Sequence, residues 1–271
     1  MKKTLMIVLV AAMVVFQSVC ALAAEEKVIT FKVEEEKSVL AASVGFDAYS
    51  RYIGSVSGAE FYDGPVLQPS FTVSHNKTGI YANVWTSYAP KEGYGADSGG
   101  NEVDLTFGIA KEFGTVSVDL YYSYYNIYEL GKFEEGDIHA VVAKVKWSIN
   151  EMFTPYFMAE YDHIIGRSER DGLAYRLGLK VKLHKHVEVD LSGAGHTRMF
   201  GADREELSSG KVSLAFPFEF KELSITPEVN FQKRFGYESL GSDEEVVPGN
   251  ERHVGLTKDN FWFGLKLAYT F

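Results

Sequence analysis

The sequence predicts an all-β protein, a transmembrane antiparallel β-barrel of about twelve strands that follow one another up and down. Two observations carry this prediction. Segments of about ten residues alternate apolar and polar side chains, as strands do when one face contacts lipid and the other a lumen. The connections alternate between short turns and longer polar loops, which is typical of barrels with short periplasmic turns and long extracellular loops. The even strand count then predicts that both termini are periplasmic.

The N-terminal residues have the composition of a secretory signal peptide. Two lysines precede an unbroken apolar run from residue 5 to residue 16, and Ala21 and Ala23 supply the small residues of a cleavage site. The run is too short for a membrane-spanning helix, which needs about 20 residues. We therefore expect a signal peptide over residues 1–23, a short periplasmic segment over 24–38 and the barrel over 39–271.

The composition narrows the class of partner. The chain carries a net charge of −10, and loss of Lys2 and Lys3 with the signal peptide would make it −12. Nucleic-acid phosphates require a basic face, so no nucleic acid is expected as a partner. The single cysteine, Cys20, lies in the predicted signal peptide. The exported chain would therefore have no disulfide and would be held by hydrogen bonding and packing.

The strands are predicted from their alternation, which is clearest in the last segment. There, six aromatic or leucine residues share one face, small or polar residues mostly occupy the other, and the segment ends at Phe271. Assembly machinery for outer-membrane barrels reads a terminal aromatic of this kind, so Phe271 is predicted to be an insertion signal. The predicted strands span 40–48, 67–73, 80–86, 102–109, 116–124, 141–147, 153–161, 173–183, 187–191, 212–220, 223–231 and 261–271.

The connections fall into two classes. Short turns are predicted at 76–79, 112–114, 150–151, 184–186 and 221–222, and longer polar loops at 51–65, 89–100, 126–137, 164–172, 197–210 and 235–259. Four prolines, Pro69, Pro155, Pro217 and Pro227, count against ordinary central strands, because proline removes a ladder donor. Whether the longest loop, 235–259, folds into the lumen is left open.

The polar strand faces, projected inward, predict a charged lumen. The candidate pore-lining residues are Glu102, Asp104, Asp119, Lys144, Lys146, Glu160, Asp162, Arg176, Lys180, Lys182, Glu188 and Asp190. Fixed charges of this kind select solutes in narrow aqueous pores. Alternatively, charges on neighbouring strands pair and fill the interior. Basic and acidic strands alternate from Lys144 to Asp190, which leaves both alternatives open. The patch of Glu102, Asp104 and Asp119 lacks obvious adjacent cations, which favours a pore wall.

Five inward aromatic residues have two interpretations. Trp85, Tyr81, Tyr121, Tyr125 and Tyr156 could form a stacking track for sugars, or they could fill interior volume and anchor at the membrane interface, where tyrosine and tryptophan are enriched. We favour the second interpretation. Twelve strands lie between barrels that hold only side chains and the 16 to 18 strands of a wide channel, so a small-solute channel is expected.

Catalysis is not expected. Ser74 and His75 are adjacent on a predicted strand, so their side chains point to opposite faces and cannot form a dyad. His196 lies four residues after Ser192 but has no surrounding G-x-S-x-G motif. No histidine spacing matches a metalloprotease motif. We therefore predict no catalytic residue, no metal site and no cofactor.

Residues 43–128 carry a set of short motifs. These are Ser-Val-Gly-Phe-Asp-Ala-Tyr-Ser-Arg-Tyr at 43–52, Gly-Pro-Val-Leu-Gln-Pro-Ser at 64–70, Gly-Ile-Tyr-Ala-Asn-Val-Trp at 79–85, Asn-Glu-Val-Asp-Leu at 101–105 and a tyrosine-rich strand at 119–125. In these motifs the chain resembles the TorF-type family of outer-membrane porins. It departs from that family in the first loop, where Arg51-Tyr52-Ile53-Gly54 replaces the usual Arg-Gly pair. The resemblance implies a pore-like barrel and transfers no site residue.

These observations lead to one expected function and two alternatives. The expected function is passive diffusion of small hydrophilic solutes across the bacterial outer membrane. The first alternative is a structural or adhesive barrel whose surface loops bind a partner, and the second is a membrane-embedded hydrolase. The expected partners are outer-membrane lipid and lipopolysaccharide, the barrel-assembly machinery through Phe271, and small solutes.

Overall fold

The structure is a computed structural model, and it describes residues 39–91, 100–127, 136–166, 168, 171–197, 206–235 and 259–271. The predicted signal peptide and residues 24–38 lie outside the described residues. No helix in the described part of the chain is long and apolar enough to cross a membrane. The described residues form strands that are numbered here in chain order: β1 (Leu40–Tyr49), β2 (Tyr52–Ile53), β3 (Glu60–Tyr62), β4 (Val66–His75), β5 (Ile80–Ser87), β6 (Glu102–Phe113), β7 (Val116–Asn126), β8 (Ile138–Trp147), β9 (Phe153–Ile164), β10 (Gly172–His184), β11 (Val187–Thr197), β12 (Glu206–Ala215), β13 (Phe218–Phe220), β14 (Leu223–Arg234) and β15 (Asn260–Thr270).

Twelve of these strands form a closed antiparallel barrel. Around the ring the order is β1, β4, β5, β6, β7, β8, β9, β10, β11, β12, β14 and β15, and β15 pairs with β1 to close it. The short strand β13 continues the line of β12 and pairs with β14. The predicted fold class is therefore confirmed, and every predicted segment overlaps the ring. The predicted loop 197–210 is too long, because residues 206–210 belong to β12.

The prolines are accommodated in two ways. Pro217 lies in the gap between β12 and β13, which divides the predicted strand 212–220. Pro69, Pro155 and Pro227 instead lie inside strands, in register with Phe46, Leu179 and Leu265. In an antiparallel ladder each residue directs its N–H toward one neighbour only. A single proline therefore removes only one hydrogen bond from a strand that is paired along both edges. The expectation that these three prolines count against central strands was wrong.

The short turns and long connections lie at opposite ends of the barrel, as predicted. Leu40, where β1 begins, pairs with His75, next to the turn 76–79. Thr270, where β15 ends, also lies at this turn end, since its N–H donates to the carbonyl of Glu222 at 3.0 Å. Both barrel termini therefore lie at the end with the short turns. That this end faces the periplasm stays a prediction.

The two faces of the wall have inverted polarity relative to a soluble protein. Large apolar side chains point outward and are exposed, with Phe107 61%, Leu177 65% and Phe263 54% accessible. Inward-facing polar side chains are buried, with Gln232 at 0% and Asn230 at 1%. An apolar outer band around a polar interior is the arrangement of a barrel that stands in lipid.

Candidate functional site in the barrel lumen

The half of the lumen nearest the long connections is occupied by the first of them. Residues 51–65 do not extend into solvent, as the prediction of a polar surface loop implied. They form the small hairpin of β2 and β3, in which Tyr52 pairs with Tyr62, and their tip lies among inward-facing side chains. We call residues 51–65 the inner loop. Of the longest loop, for which inward folding was left open, residues 236–258 lie outside the described residues.

One side of the inner loop contacts the wall at β5 and β6. The hydroxyl of Tyr52 donates a hydrogen bond to Oε2 of Glu102 at 2.8 Å. The Tyr52 ring also packs against two other aromatic rings. Its centroid lies 5.8 Å from that of Trp85 and 5.1 Å from that of Phe61, which is on its own hairpin. Trp85 therefore fills interior volume beside the loop, in agreement with the favoured interpretation of the inward aromatic residues.

The tip of the inner loop contacts the far side of the ring. The carbonyl oxygen of Gly58 accepts hydrogen bonds from Nε2 of Gln232 at 2.9 Å and from Nη2 of Arg234, both on β14. Val56 is 1% exposed and packs against Ala174 of β10 and Met158 of β9. Counted around the ring from β1, β6 is the fourth strand and β14 the eleventh. The inner loop thus bridges nearly opposite walls of the barrel.

Gly58 has the backbone conformation and the space that only glycine tolerates well. Its φ is +68°, in the left-handed region that L side chains rarely adopt. A Cβ at this position would lie 2.8 Å from Oε1 of Gln232 and 2.9 Å from Nη2 of Arg176. The tip therefore approaches the wall with its backbone, which explains how a carbonyl reaches the donors on β14.

Four of the predicted pore-lining carboxylates form one group, here called the acidic patch. Its members are Glu102 and Asp104 on β6 and Glu160 and Asp162 on β9. Asp162 contacts Glu160 and is only 2% exposed. Tyr125 donates a hydrogen bond to Oε1 of Glu160 at 3.3 Å. One carboxylate oxygen each of Asp104 and Asp162 is buried with no hydrogen-bond partner among the described residues.

Asp119 does not belong to this patch, which corrects one prediction. It was grouped with Glu102 and Asp104 as lacking adjacent cations, but it is in register with Lys144 of β8. It also accepts a hydrogen bond from the hydroxyl of Tyr81 at 2.8 Å. The Lys144 ammonium lies 4.7 Å from the centre of the Tyr121 ring. The register between β7 and β8, which alternation alone does not specify, brings Asp119 and Lys144 together.

Most of the remaining pore-lining candidates on β10 and β11 form ion pairs or hydrogen bonds with neighbouring strands. Lys180 pairs with Glu188 at 2.9 Å, and Lys182 is in register with Glu188. Asp190 lies 3.7 Å from Lys211 and accepts a hydrogen bond from Tyr156 at 2.9 Å. Arg176, 2% exposed, donates to Oγ of Ser192 at 2.9 Å. Part of the interior is therefore salt-bridged, as the second alternative proposed.

The end of the lumen with the short turns holds a cavity of about 520 Å³. Its lining includes Lys111, Glu112, Asp119, Lys144 and Lys146. Lys146 is in register with Ser117 and Tyr156 on its two neighbouring strands. The lumen therefore changes along its axis, from a half filled by the inner loop to an open, charged vestibule.

Several inward polar residues were not singled out by the sequence analysis. They are Lys211, Glu228, Gln232, Arg234 and Lys266, and Lys266 pairs with Glu228 at 2.7 Å. All of them lie on the polar side of the alternation in β12, β14 and β15, so the same pattern could have identified them. Of the histidines weighed for catalysis, His75 contacts Thr78, with its Nδ1 3.0 Å from the threonine hydroxyl. No group of three metal-ligating side chains occurs among the residues that the structure describes.

Solved structures of outer-membrane porins and channels share this closed-barrel fold. The chain is similar to a KdgM porin, with a TM-score of 0.51 and 8% identity, over 84% of this chain and 99% of that one. It is similar to the COG4313 outer membrane channel from Pseudomonas putida F1, with a TM-score of 0.51 and 8% identity, over 90% and 100%. It is also similar to the KdgM porin in complex with disordered oligogalacturonate, with a TM-score of 0.50 and 7% identity, over 85% and 99%.

At these identities the likeness shows the fold. No protein-family model and no curated protein sequence matches the chain. The resemblance to TorF-type porins therefore stays a prediction, while the closed antiparallel barrel fold that these porin and channel structures share with the chain is shown. The barrel fold indicates an outer-membrane location.

Proposed function

We propose that this protein is an outer-membrane channel for the passive diffusion of small hydrophilic solutes and that it carries out no chemistry. The observation that carries the proposal is the inner wall, where charged side chains of both signs follow the lumen from the acidic patch to the vestibule at the turn end. A purely structural barrel gains little from this arrangement, because apolar interior packing is at least as stable as buried ion pairs.

The charge distribution also restricts the class of solute. One structural neighbour is a complex with oligogalacturonate, a polyanion. In this chain the acidic patch places four carboxylates beside the inner loop, and these repel a polyanion at close range. We therefore favour uncharged, zwitterionic or cationic solutes of small size.

Conductance in planar bilayers tests the proposal. The refolded barrel, shown to be folded by its heat-modifiable migration on gels, is expected to produce discrete current steps in KCl, with a preference for potassium over chloride. A folded barrel that gives no current steps under these conditions would contradict the proposed function. A deletion strain with slower uptake of small solutes, restored by the gene in trans, would support it in cells.

A further inference from the structure

The inner loop is built to stay inside the barrel. Its tip residues Val56, Ser57 and Ala59 are 1%, 7% and 0% exposed, whereas loops that serve the surface are solvated. The contacts are distributed over both walls, with Tyr52 on Glu102 at one side and Gly58 on Gln232 and Arg234 at the other. A loop held at both ends of its span occupies the cross-section of the lumen.

The inner loop also holds its own shape. The N–H of Gly54 donates to the carbonyl of Ala59 at 2.8 Å, and the N–H of Gly58 donates to the carbonyl of Gly54 at 3.0 Å. At the base, Arg51 pairs with Glu60 at 3.3 Å and with Asp63 at 2.5 Å. These bonds fix the hairpin independently of the wall, so it contacts β14 as a preformed unit.

The chemistry of the tip indicates what kind of filter it forms. Residues 54–59 are Gly-Ser-Val-Ser-Gly-Ala, which are small and carry no charge. The charged side chains lie on the walls around the tip and not on it. A small uncharged segment across a lumen restricts solutes by size, while the charges of the walls act before and after it.

We propose that the inner loop is the constriction that sets the size limit of this channel, and that Gln232 and Arg234 are the residues that hold it in place. This inference rests on the proposed function. Twelve strands enclose more space than the side chains of a small barrel fill, so the limit is set by the loop and not by the number of strands.

The test compares two buried glutamines that both face the lumen. Gln232→Met removes a donor to the inner loop, whereas Gln68→Met removes a donor to Oγ of Ser87 and leaves the loop contacts intact. Two release variants free the loop from the wall: one carries both Gln232→Met and Arg234→Met, and the other lacks residues 55–58. Single-channel conductance and the exclusion of polyethylene glycols of graded size are measured for both. Conductance is expected to rise roughly twofold, with entry of larger polymers, because the open cross-section of a twelve-strand barrel is restored. Gln68→Met is expected to match the wild type.

The outcomes separate this inference from the proposed function. If the folded wild-type barrel conducts and the release variants have the same conductance and the same polymer size limit as the wild type, the inference alone is overturned. A folded wild type that gives no current, together with a conducting loop deletion, contradicts the proposed function and supports the inference alone, since the loop then closes the lumen completely. Silence of both proteins in the folded state overturns both proposals.

Discussion

The ring of Tyr156 lies directly over the backbone of Gly178, its register partner on the neighbouring strand. The tyrosine hydroxyl continues past the glycine and donates to Oδ1 of Asp190 on β11 at 2.9 Å. One aromatic side chain thus spans from β9 to β11 along the inner wall. Gly108 repeats the relationship, since a Cβ there would lie 2.6 Å from Cζ of Tyr81.

This contact predicts the effect of a side chain at position 178. Gly178→Ala would overlap the Tyr156 ring and is expected to destabilise the barrel by about 1–3 kcal/mol, the usual cost of overpacking. Urea unfolding of the barrel in lipid vesicles measures the change. Tyr156→Ser in the same chain removes the overlap, so the double variant is expected to recover part of the loss. Additive losses in the double-mutant cycle would show that the two residues do not interact.

The connection between β9 and β10 predicts a dependence on pH. Burial by itself raises the pKa of the Asp171 carboxyl, but hydrogen bonds with His163 and with the N–H of Ile164, at 2.8 Å each, hold it below its ordinary value. A carboxyl with a lowered pKa stabilises the folded state fully above the ordinary aspartate pKa, and this contribution is lost as the pH falls through its value in the folded protein.

Asp171→Asn is therefore expected to lower stability by about 1 kcal/mol at neutral pH and to have a smaller effect near pH 3. Urea unfolding at both values of pH measures this difference. Glu151→Gln, at an exposed position in the turn between β8 and β9, controls for the change of charge. An equal loss at both values of pH would contradict the assignment to the ionised carboxyl.

The C-terminal residue is predicted to act in assembly. Removal of Phe271 deletes the hydrogen bond from its N–H to the carbonyl of Ala42 and an edge contact with Tyr269, while the lumen keeps its lining. We expect lower levels in the outer membrane, by cell fractionation, and unchanged conductance for the protein that does insert. Phe263→Ala, which alters an outward aromatic residue of the same strand, serves as the control. Normal outer-membrane levels of the truncated protein would count against the prediction.

The acidic patch is predicted to set ion preference. Glu160→Gln replaces one of its four carboxyl groups with an uncharged amide and is expected to lower the permeability of potassium relative to chloride, measured as the zero-current potential in a salt gradient. Glu222→Gln makes the same change in an exposed turn and is expected to leave the potential unchanged. A zero-current potential that does not change in Glu160→Gln would show that the ion path avoids the patch.

The sequence predicts the strands well because alternation is a local property. Each residue faces one side of the sheet or the other according to its place in its own strand, so the segments, including the final one, follow without knowledge of neighbours. Register is a relation between strands, and alternation does not determine it. This is why Asp119 was grouped with Glu102 and Asp104, although the structure pairs it with Lys144.

The inner loop is the feature that the sequence analysis missed. Its small residues are typical of a solvated loop, and no periodic pattern distinguishes one that folds inward. The contact that holds it joins Gly58 to Gln232, 174 positions away. Only the closed ring brings β14 beside the first loop. An inward loop can therefore be predicted only once the strand order and the partner of the last strand are known.

The seam between β1 and β15 has a consequence for how the protein comes into being. β1, the first strand of the ring along the chain, needs β15, the last strand of the ring, as its neighbour, as in the pairing of Phe46 with Leu267. Until the whole chain has been delivered, two strand edges remain unpaired, and such edges recruit other chains into aggregates. Because β1 and β15 are far apart in sequence, bringing them together costs conformational entropy, and closure of the ring is therefore slow. A chain cut short by a premature stop would therefore yield an open, aggregation-prone sheet and not a narrower channel.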